Sequence, residues 1–328
     1  MNNRRKLLVA IGAGVLAVPF GSNAQQQLKI ARIGLLGAAF NETFAKQVEA
    51  LRVRLRELGY AEGRNIVFEY RWADENYDQL TILAAELVRL KVDVIVTRGT
   101  PAARAAQKAT ATIPIVMVNV GDPVGQGLAQ SLAHPGGNIT GLSNVSSDLG
   151  TKHLEMLLSM APKLSRVAVL ANPDNSNNIS VLKSIQAAAQ RTNAKILPVE
   201  ARSAPEIEKA IPEMTQGKAG AFIVMRDALL NQRTSQIAEL ALKNRLLSIA
   251  AIPEFAEAGG LMSYGADNIE LFRRAATYVD KILKGAKPGN LPVEQPMKFE
   301  LIINGKTAKA LGLKIPLSLQ IMANKVIE

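Results

Sequence analysis

The sequence predicts an α/β protein of two doubly wound parallel-sheet lobes facing one shared cleft. Apolar strand runs alternate with helical runs of about 10–15 residues, the pattern of parallel βαβ units. The pattern is written twice. ARIGLLG (31–37) opens a unit of strand, loop, helix and second strand that ends in NIVFEYR (65–71). Roughly 130 residues later SRVAVLA (165–171) opens the same unit, ending in AKILPVEAR (194–202). A second pair follows in step, VDVIVTRGTPAA (92–103) against GAFIVMRDALL (220–230). Each is a continuous apolar strand that ends at Arg98 or Arg226 before a loop and a helix. Ligands of open α/β sheets bind beyond the carboxyl ends of the strands, so both lobes are expected to point loops into the same gap.

Residues 1–24 read as an export leader. Arg4, Arg5 and Lys6 precede an apolar run from Leu7 to Phe20, followed by Ser22-Asn23-Ala24. A basic start, a short apolar core and small residues at −3 and −1 make a signal peptide cleaved after Ala24, and the run is too short to span a bilayer as an anchor. The Arg4-Arg5 pair leaves both Sec and twin-arginine export open. The first helix of the mature chain follows the first strand, with Phe44, Val48, Leu51, Leu55 and Leu58 at three- and four-residue steps, Asn41 as a candidate N-cap and Gly59 as the stop. Helices are expected over about 76–90 and 101–110, and a strand at IPIVMVNV (113–120). GDPVGQGL (121–128) is read as a turn leading into another helix. NITGLSNVSS (138–147) reads as the first passage between lobes. Second-lobe strands are expected near 166–171, 195–199, 221–226, 246–250 and 261–264. An amphipathic helix then carries Leu271, Ala275, Tyr278, Val279 and Ile282 up to Gly285. KPGNLPVEQP (287–296), with prolines at 288, 292 and 296, is irregular; a strand at FELIIN (299–304) and two short helical pieces close the chain.

Composition bounds the function. At 328 residues there is room for about two domains, and 48% hydrophobic with 20% charged residues fits a globular protein. No later apolar run reaches the length of a membrane span. The absence of cysteine removes disulfides, thiol catalysis, Cys-based metal sites and the lipid-bearing cysteine of a lipoprotein. An exported, unanchored chain points to the periplasm. The net charge of +11 falls to +8 without the three basic leader residues. The basic residues are scattered, and Arg52, Arg54 and Arg56 alternate around a helix, so nucleic acid is not an expected partner.

Catalytic and metal motifs are missing. Gly12-Ala13-Gly14 sits inside the leader with no strand before it and is no dinucleotide site. His134 lies in a Pro-Gly turn and His153 in TKHLEML, neither at triad or zinc spacing. NPDNSNN (172–178) holds one acid, too little for a calcium loop; it caps the following helix or faces the cleft as a ligand loop. No cofactor, no metal and no chemistry are expected. Better candidates stand at strand ends. Gly99-Thr100-Pro101 ends a buried strand and starts a helix, where free N–H groups and the helix dipole suit a carboxylate. Asp227 stands at the equivalent place in the second half, as an acceptor for an amine or as an N-cap. Together the two loops would hold the two ends of a zwitterion, with Phe40, Trp72 and Tyr264 as candidate apolar walls or as packing.

Several segments then resemble one family: GTPAA (99–103), VGDPVGQGL (120–128), LAHPGGNITGLS (132–143), the stretch GGLMSYGADN…KALGL (259–313) and the closing VIE. They are similar to the ABC-transporter substrate-binding proteins that include the tryptophan-binding periplasmic proteins, over essentially the whole mature chain. That resemblance implies a type I periplasmic-binding fold, two α/β lobes joined by a multi-strand hinge, with 25–143 and 268–297 in lobe 1 and 144–267 and 298–328 in lobe 2. It implies a receptor that delivers a small amino-acid-like solute, aromatic for some members, to an inner-membrane ABC permease by hinge closure; the chain is expected to be a monomer. A ligand-sensing partner of a membrane kinase or chemoreceptor is the alternative. By the same resemblance the candidate contacts are Ala38, Ala39, Phe40, Asn41, Gly99, Thr100, Asn119, Asp122, Asn144, Asn172, Asn175, Asn177, Asp227, Tyr264 and Gly265. Gly305-Lys306 and the tail LSLQIMANKVIE depart from the family pattern, away from the predicted cleft.

Overall fold

The computed structural model describes residues 30–39 and 42–328. The leader, Phe40 and Asn41 lie outside the described residues, so the leader, the Asn41 cap and two of the candidate contacts are not placed. The chain starts with β1 (Ala31–Gly37), α1 (Glu42–Glu57), β2 (Ile66–Trp72), α2 (Gln79–Arg89), β3 (Val94–Arg98), α3 (Gly99–Ala109), β4 (Ile115–Gly121) and β5 (Ile139–Asn144). Every residue of β4 and β5 is buried, as parallel strands covered on both faces require. The sheet order is β2-β1-β3-β4-β5, all parallel.

The second half repeats this plan. It runs α4 (Ser146–Met160), β6 (Arg166–Ala171), α5 (Ser176–Ala189), β7 (Lys195–Glu200), α6 (Ala204–Gln216), β8 (Ala221–Val224), α7 (Ala228–Gln232), α8 (Thr234–Lys243), β9 (Leu247–Ala250), α9 (Pro253–Glu257) and β10 (Met262–Ala266). The chain continues with α10 (Asn268–Leu283), β11 (Phe299–Asn304), α11 (Gly305–Ala310), α12 (Leu317–Met322) and β12 (Lys325–Ile327). The second sheet is ordered β12-β11-β10-β9-β8-β6-β7, with β11 antiparallel to β10. Stripped of β11 and β12, the two orders are the same, 2-1-3-4-5 against 7-6-8-9-10, so the repeat in sequence is a repeat in topology.

Both sheets are sandwiched. Phe44, Val48, Leu51 and Leu55 of α1 and Leu271, Ala275, Tyr278, Val279 and Ile282 of α10 are buried together against one face of the first sheet. Each fully buried Leu or Phe of such a stripe contributes about 1.5–3 kcal/mol. The other face is covered by α2 and α3 through Leu80, Ala84, Leu87, Ala102 and Ala106. The chain crosses between the sheets three times: from β5 into α4, from β10 into α10, and along residues 292–298 into β11. The first and third crossings are laced together, Ser143 N–H donating to the Glu294 carbonyl at 2.9 Å and Glu294 N–H to Gly141 at 3.0 Å.

One expected element is absent. GDPVGQGL leads into turns, and residues 122–138 form no helix. Pro123 and Pro135 remove donors, and Asp122, Gly127, Gly136 and Gly137 hold positive φ, so helical hydrogen bonding cannot propagate.

Candidate ligand-binding cleft

In a sheet ordered 2-1-3-4-5 the connections reverse between the first and third strands, and a crevice opens beyond their carboxyl ends. Both lobes obey this rule, and both crevices open onto the same cavity. From lobe 1 it is lined by Ala38 after β1 and by Arg98, Gly99, Thr100 and Pro101 after β3. From lobe 2 it is lined by Asn175 after β6 and by Arg226, Asp227 and Ala228 after β8. Tyr77, Asn119, Asn144, Asn177 and Asn231 complete the wall. The space open to water is about 50 Å³, room for three or four waters.

The β3–α3 junction leaves its helix end bare. Gly99 has φ +80°, a conformation that favours glycine, and α3 has no side-chain cap. Thr100 Oγ1 accepts from Gly121 N–H at 3.2 Å. The Arg98 guanidinium stacks over the Phe44 ring at 4.7 Å, and its Nε is buried without an acceptor. Burial pushes its pKa down to about 10, partly opposed by Glu254.

The β8–α7 junction is closed on itself. Asp227, 2% exposed, caps α7 by accepting from Leu229 N–H at 3.0 Å. Its carboxylate also accepts from Asn172 Nδ2 and Asn175 Nδ2, each at 3.2 Å, and from the Tyr77 hydroxyl at 2.5 Å. Burial pushes the Asp227 carboxyl up, and these donors oppose the shift. Burial and the adjacent carboxylate push the Tyr77 phenol far above its ordinary range, which fixes it as donor. Arg226 donates to Asn268 Oδ1 at 3.1 Å and the Ala251 carbonyl at 3.0 Å, while its Nε is buried without an acceptor. Burial and then the Arg98 charge lower it to about 10. Behind it His153 is buried, Nε2 at 2.7 Å from the Tyr264 carbonyl, and burial lowers its pKa to about 4. The neutral imidazole is therefore the N–H donor to that carbonyl.

The lobes touch across the cleft. Besides Tyr77 and Asp227, Arg233 pairs with Glu75 at 3.4 Å and Ser176 Oγ donates to Gln126 Oε1 at 3.0 Å. Gly121, at the end of β4, approaches Asn177 so closely that a Cβ there would lie 2.0 Å from Asn177 Oδ1.

The remaining candidates sort into frame and bystanders. Asn144 donates to the Asn119 carbonyl at 3.0 Å and to Asn119 Oδ1 at 2.8 Å, and Asn119 Nδ2 donates to Asn268 at 3.1 Å, so this pair ties the first two crossings beneath the cavity. Ala39 and Asn172 are buried but do not reach the cavity wall. Asp122 is exposed and closes its own turn by accepting from Gly125 N–H at 2.9 Å. Tyr264 stacks on Phe299 at 5.8 Å and Trp72 packs edge-on to Phe44 at 4.9 Å, so neither lines the cavity. Gly265 lies where a Cβ would meet the Ala251 carbonyl at 2.0 Å, a backbone approach within the sheet. Sequence reasoning noted Arg98 and Arg226 only as strand ends. It missed Tyr77, whose one signal was its place in the loop after the second strand.

A sequence profile of the family described as ABC transporter substrate binding protein matches residues 40–327. The chain is 30% identical over 328 residues to a tyrosine-binding protein of Clostridioides difficile, covering 96% of this chain and 94% of that one. Among solved structures it is similar to a conserved domain protein of Vibrio cholerae, with TM-score 0.86 and 28% identity over 91% of this chain and 100% of that one. It is similar to a Streptococcus pneumoniae domain in complex with L-Trp, with TM-score 0.84 and 25% identity over 90% of this chain and 99% of that one. Against the ligand-free, open structure of a Clostridium difficile substrate-binding protein, at 26% identity over 91% and 99% of the two chains, the TM-score falls to 0.65. At nearly equal identity, the chain thus superposes more closely on the L-Trp complex than on the ligand-free, open protein.

Proposed function

The chain belongs to the ABC transporter substrate-binding protein family, and from that premise we propose that it is a periplasmic receptor that captures a small amino-acid-like solute between its lobes and delivers it to an inner-membrane ABC permease. Membership makes it a solute-binding protein and not an enzyme. The observation that carries the finer reading is the convergence of both switch-point crevices on one cavity, because a solute there touches both lobes at once.

Closure follows from that geometry. A solute that contacts both lobes binds the closed arrangement better than the open one and shifts the population toward it in proportion to that difference. The bare end of α3, with Gly99 and Thr100, suits a carboxylate. An ammonium group reaches Asp227 only in place of the Tyr77 or Asn175 donor. No helix among the described residues is long and apolar enough to cross a membrane. Removal of the leader after Ala24 is tested directly by N-terminal sequencing of exported protein: the first residue is expected to be Gln25.

The decisive experiment is a thermal-shift screen of the mature protein against amino acids, sugars and nucleosides. A solute at 100 times its Kd adds about 2.7 kcal/mol of stability. A shift with amino acids or their close analogues is expected; a shift confined to sugars or nucleosides would sink the reading.

A further inference from the structure

The cavity wall holds two arginines whose hydrogen-bonding capacity the described residues do not exhaust: Arg98, and Arg226 beyond its bonds to Asn268 and the Ala251 carbonyl. The Arg98 guanidinium makes no hydrogen bond to any described residue; its face lies on Phe44 and its Nε is buried without an acceptor. Arg226 keeps a second such Nε. The two cations are close enough for Arg98 to lower the pKa of Arg226. A buried donor without an acceptor costs roughly 1–3 kcal/mol, more when charged, so two of them in a cavity wall mark a place where acceptors arrive from outside.

Carboxylates of the described residues do not fill that place. Asp227, the one acid among the described residues of the wall, is engaged by Tyr77, Asn172, Asn175 and the N-terminus of α7. Glu254 lies near both arginines and offsets part of their charge, yet it bonds neither, and its Oε2 is itself buried without a partner. A zwitterionic neutral amino acid brings one carboxylate for two guanidinium groups. Its ammonium adds a third cation beside an aspartate already saturated with donors. Among the described residues Tyr77 is the one aromatic side chain in the wall, and its hydroxyl is committed to Asp227.

We propose, resting on the receptor reading above, that the solute carries two carboxylates, one for Arg98 with the bare end of α3 and one for Arg226: an acidic amino acid or a small dicarboxylic acid. Guanidinium forks bind such groups bidentately. Specificity then comes from the second charge, since a neutral isostere leaves one buried guanidinium without its acceptor.

Calorimetry on dialysed wild-type protein tests this with L-glutamate, L-aspartate, succinate and glutarate against L-glutamine, L-tyrosine and L-tryptophan. At least one two-carboxylate solute is expected to bind, with its neutral counterpart about 100-fold weaker, the loss typical of leaving a buried charge unpaired. Arg226→Gln is expected to erase that discrimination, and Arg226→Lys to restore part of it. Binding of glutamate but not succinate identifies an amino acid as the source. Binding of succinate but no amino acid keeps the two-carboxylate site and overturns the amino-acid reading. If glutamine, tyrosine or tryptophan binds as tightly as glutamate, the two-carboxylate proposal is wrong and the receptor reading stands. If no two-carboxylate solute binds, the proposal is equally overturned, and because the isostere comparison uses wild-type protein, that outcome does not depend on how any variant folds.

Discussion

The two arginine-ended junctions leave equivalent strands of the two sheets and finish as opposites. VTRGTP turns into α3 through a glycine at φ +80° and leaves the helix end uncapped. IVMRDA turns into α7 through an aspartate whose carboxylate caps the helix and takes a hydrogen bond from Tyr77 of the other lobe. Arg98 rests on an aromatic face, whereas Arg226 is pinned by Asn268 and the Ala251 carbonyl. One residue, Gly99 against Asp227, decides which junction keeps free donors for a guest and which spends its polar groups on the protein. The repeat supplies the crevice twice; the difference between the copies supplies its polarity.

The largest expected effect comes from removing the self-satisfied junction. Asp227→Ala takes away the α7 cap and strands the buried donors of Asn172, Asn175 and Tyr77, at a cost of about 2–4 kcal/mol. The solute-free melting temperature should fall by several degrees in calorimetry. An unchanged solute-free melting point with lost binding would instead make Asp227 a ligand acceptor and erase the contrast.

The backing of the second junction has a pH signature. His153 titrates near 4 in the fold because burial penalises its charge, and the Arg226 cation nearby adds to the shift. The unfolded chain, with its histidine near about 6.5, binds more protons between those values, so stability falls as pH drops through that window by about 2–3 kcal/mol. His153→Gln should flatten this part of a denaturant-midpoint profile. A profile unaltered by the substitution would remove His153 from the description.

Closure is tested at Gly121, where a Cβ would lie 2.0 Å from Asn177 Oδ1. Overpacking of this kind costs about 1–3 kcal/mol, so Gly121→Val should weaken binding about tenfold to a hundredfold. The lobes should keep their stability, and Asn177→Ala on top should recover most of the affinity. No recovery would mean that the valine disturbs β4 and not the meeting of lobes. The smallest effect is at the open junction: Gly99→Ala costs about 1 kcal/mol in backbone strain and should lower solute-free stability far less than Asp227→Ala.

Periodicity and the repeat made the sheets, the α1 and α10 stripes and the strand-end loops legible, because each depends on local alternation and on a topological rule that ignores side-chain detail. Gly99 and Asp227 were visible as a glycine and an acid at matched positions. Whether Asp227 faced solute or its own helix was not, since both uses ask for the same residue. Tyr77 was beyond reach because its partner lies 150 positions away across the cleft. Tyr264 misled in the other direction: a tyrosine at a strand end lends the protein its carbonyl for His153 while its ring stacks on Phe299. The turns after Gly121 were legible in Pro123, Gly127 and Pro135, and a helix was expected there by continuing the βα rhythm too far.

Small-angle X-ray scattering of the mature protein, with and without a saturating solute found by thermal shift, bears most directly on capture between moving lobes. The radius of gyration should be larger without solute and contract on binding to the value of the closed arrangement described here. A solute that binds tightly while the scattering curve stays unchanged would contradict capture by closure.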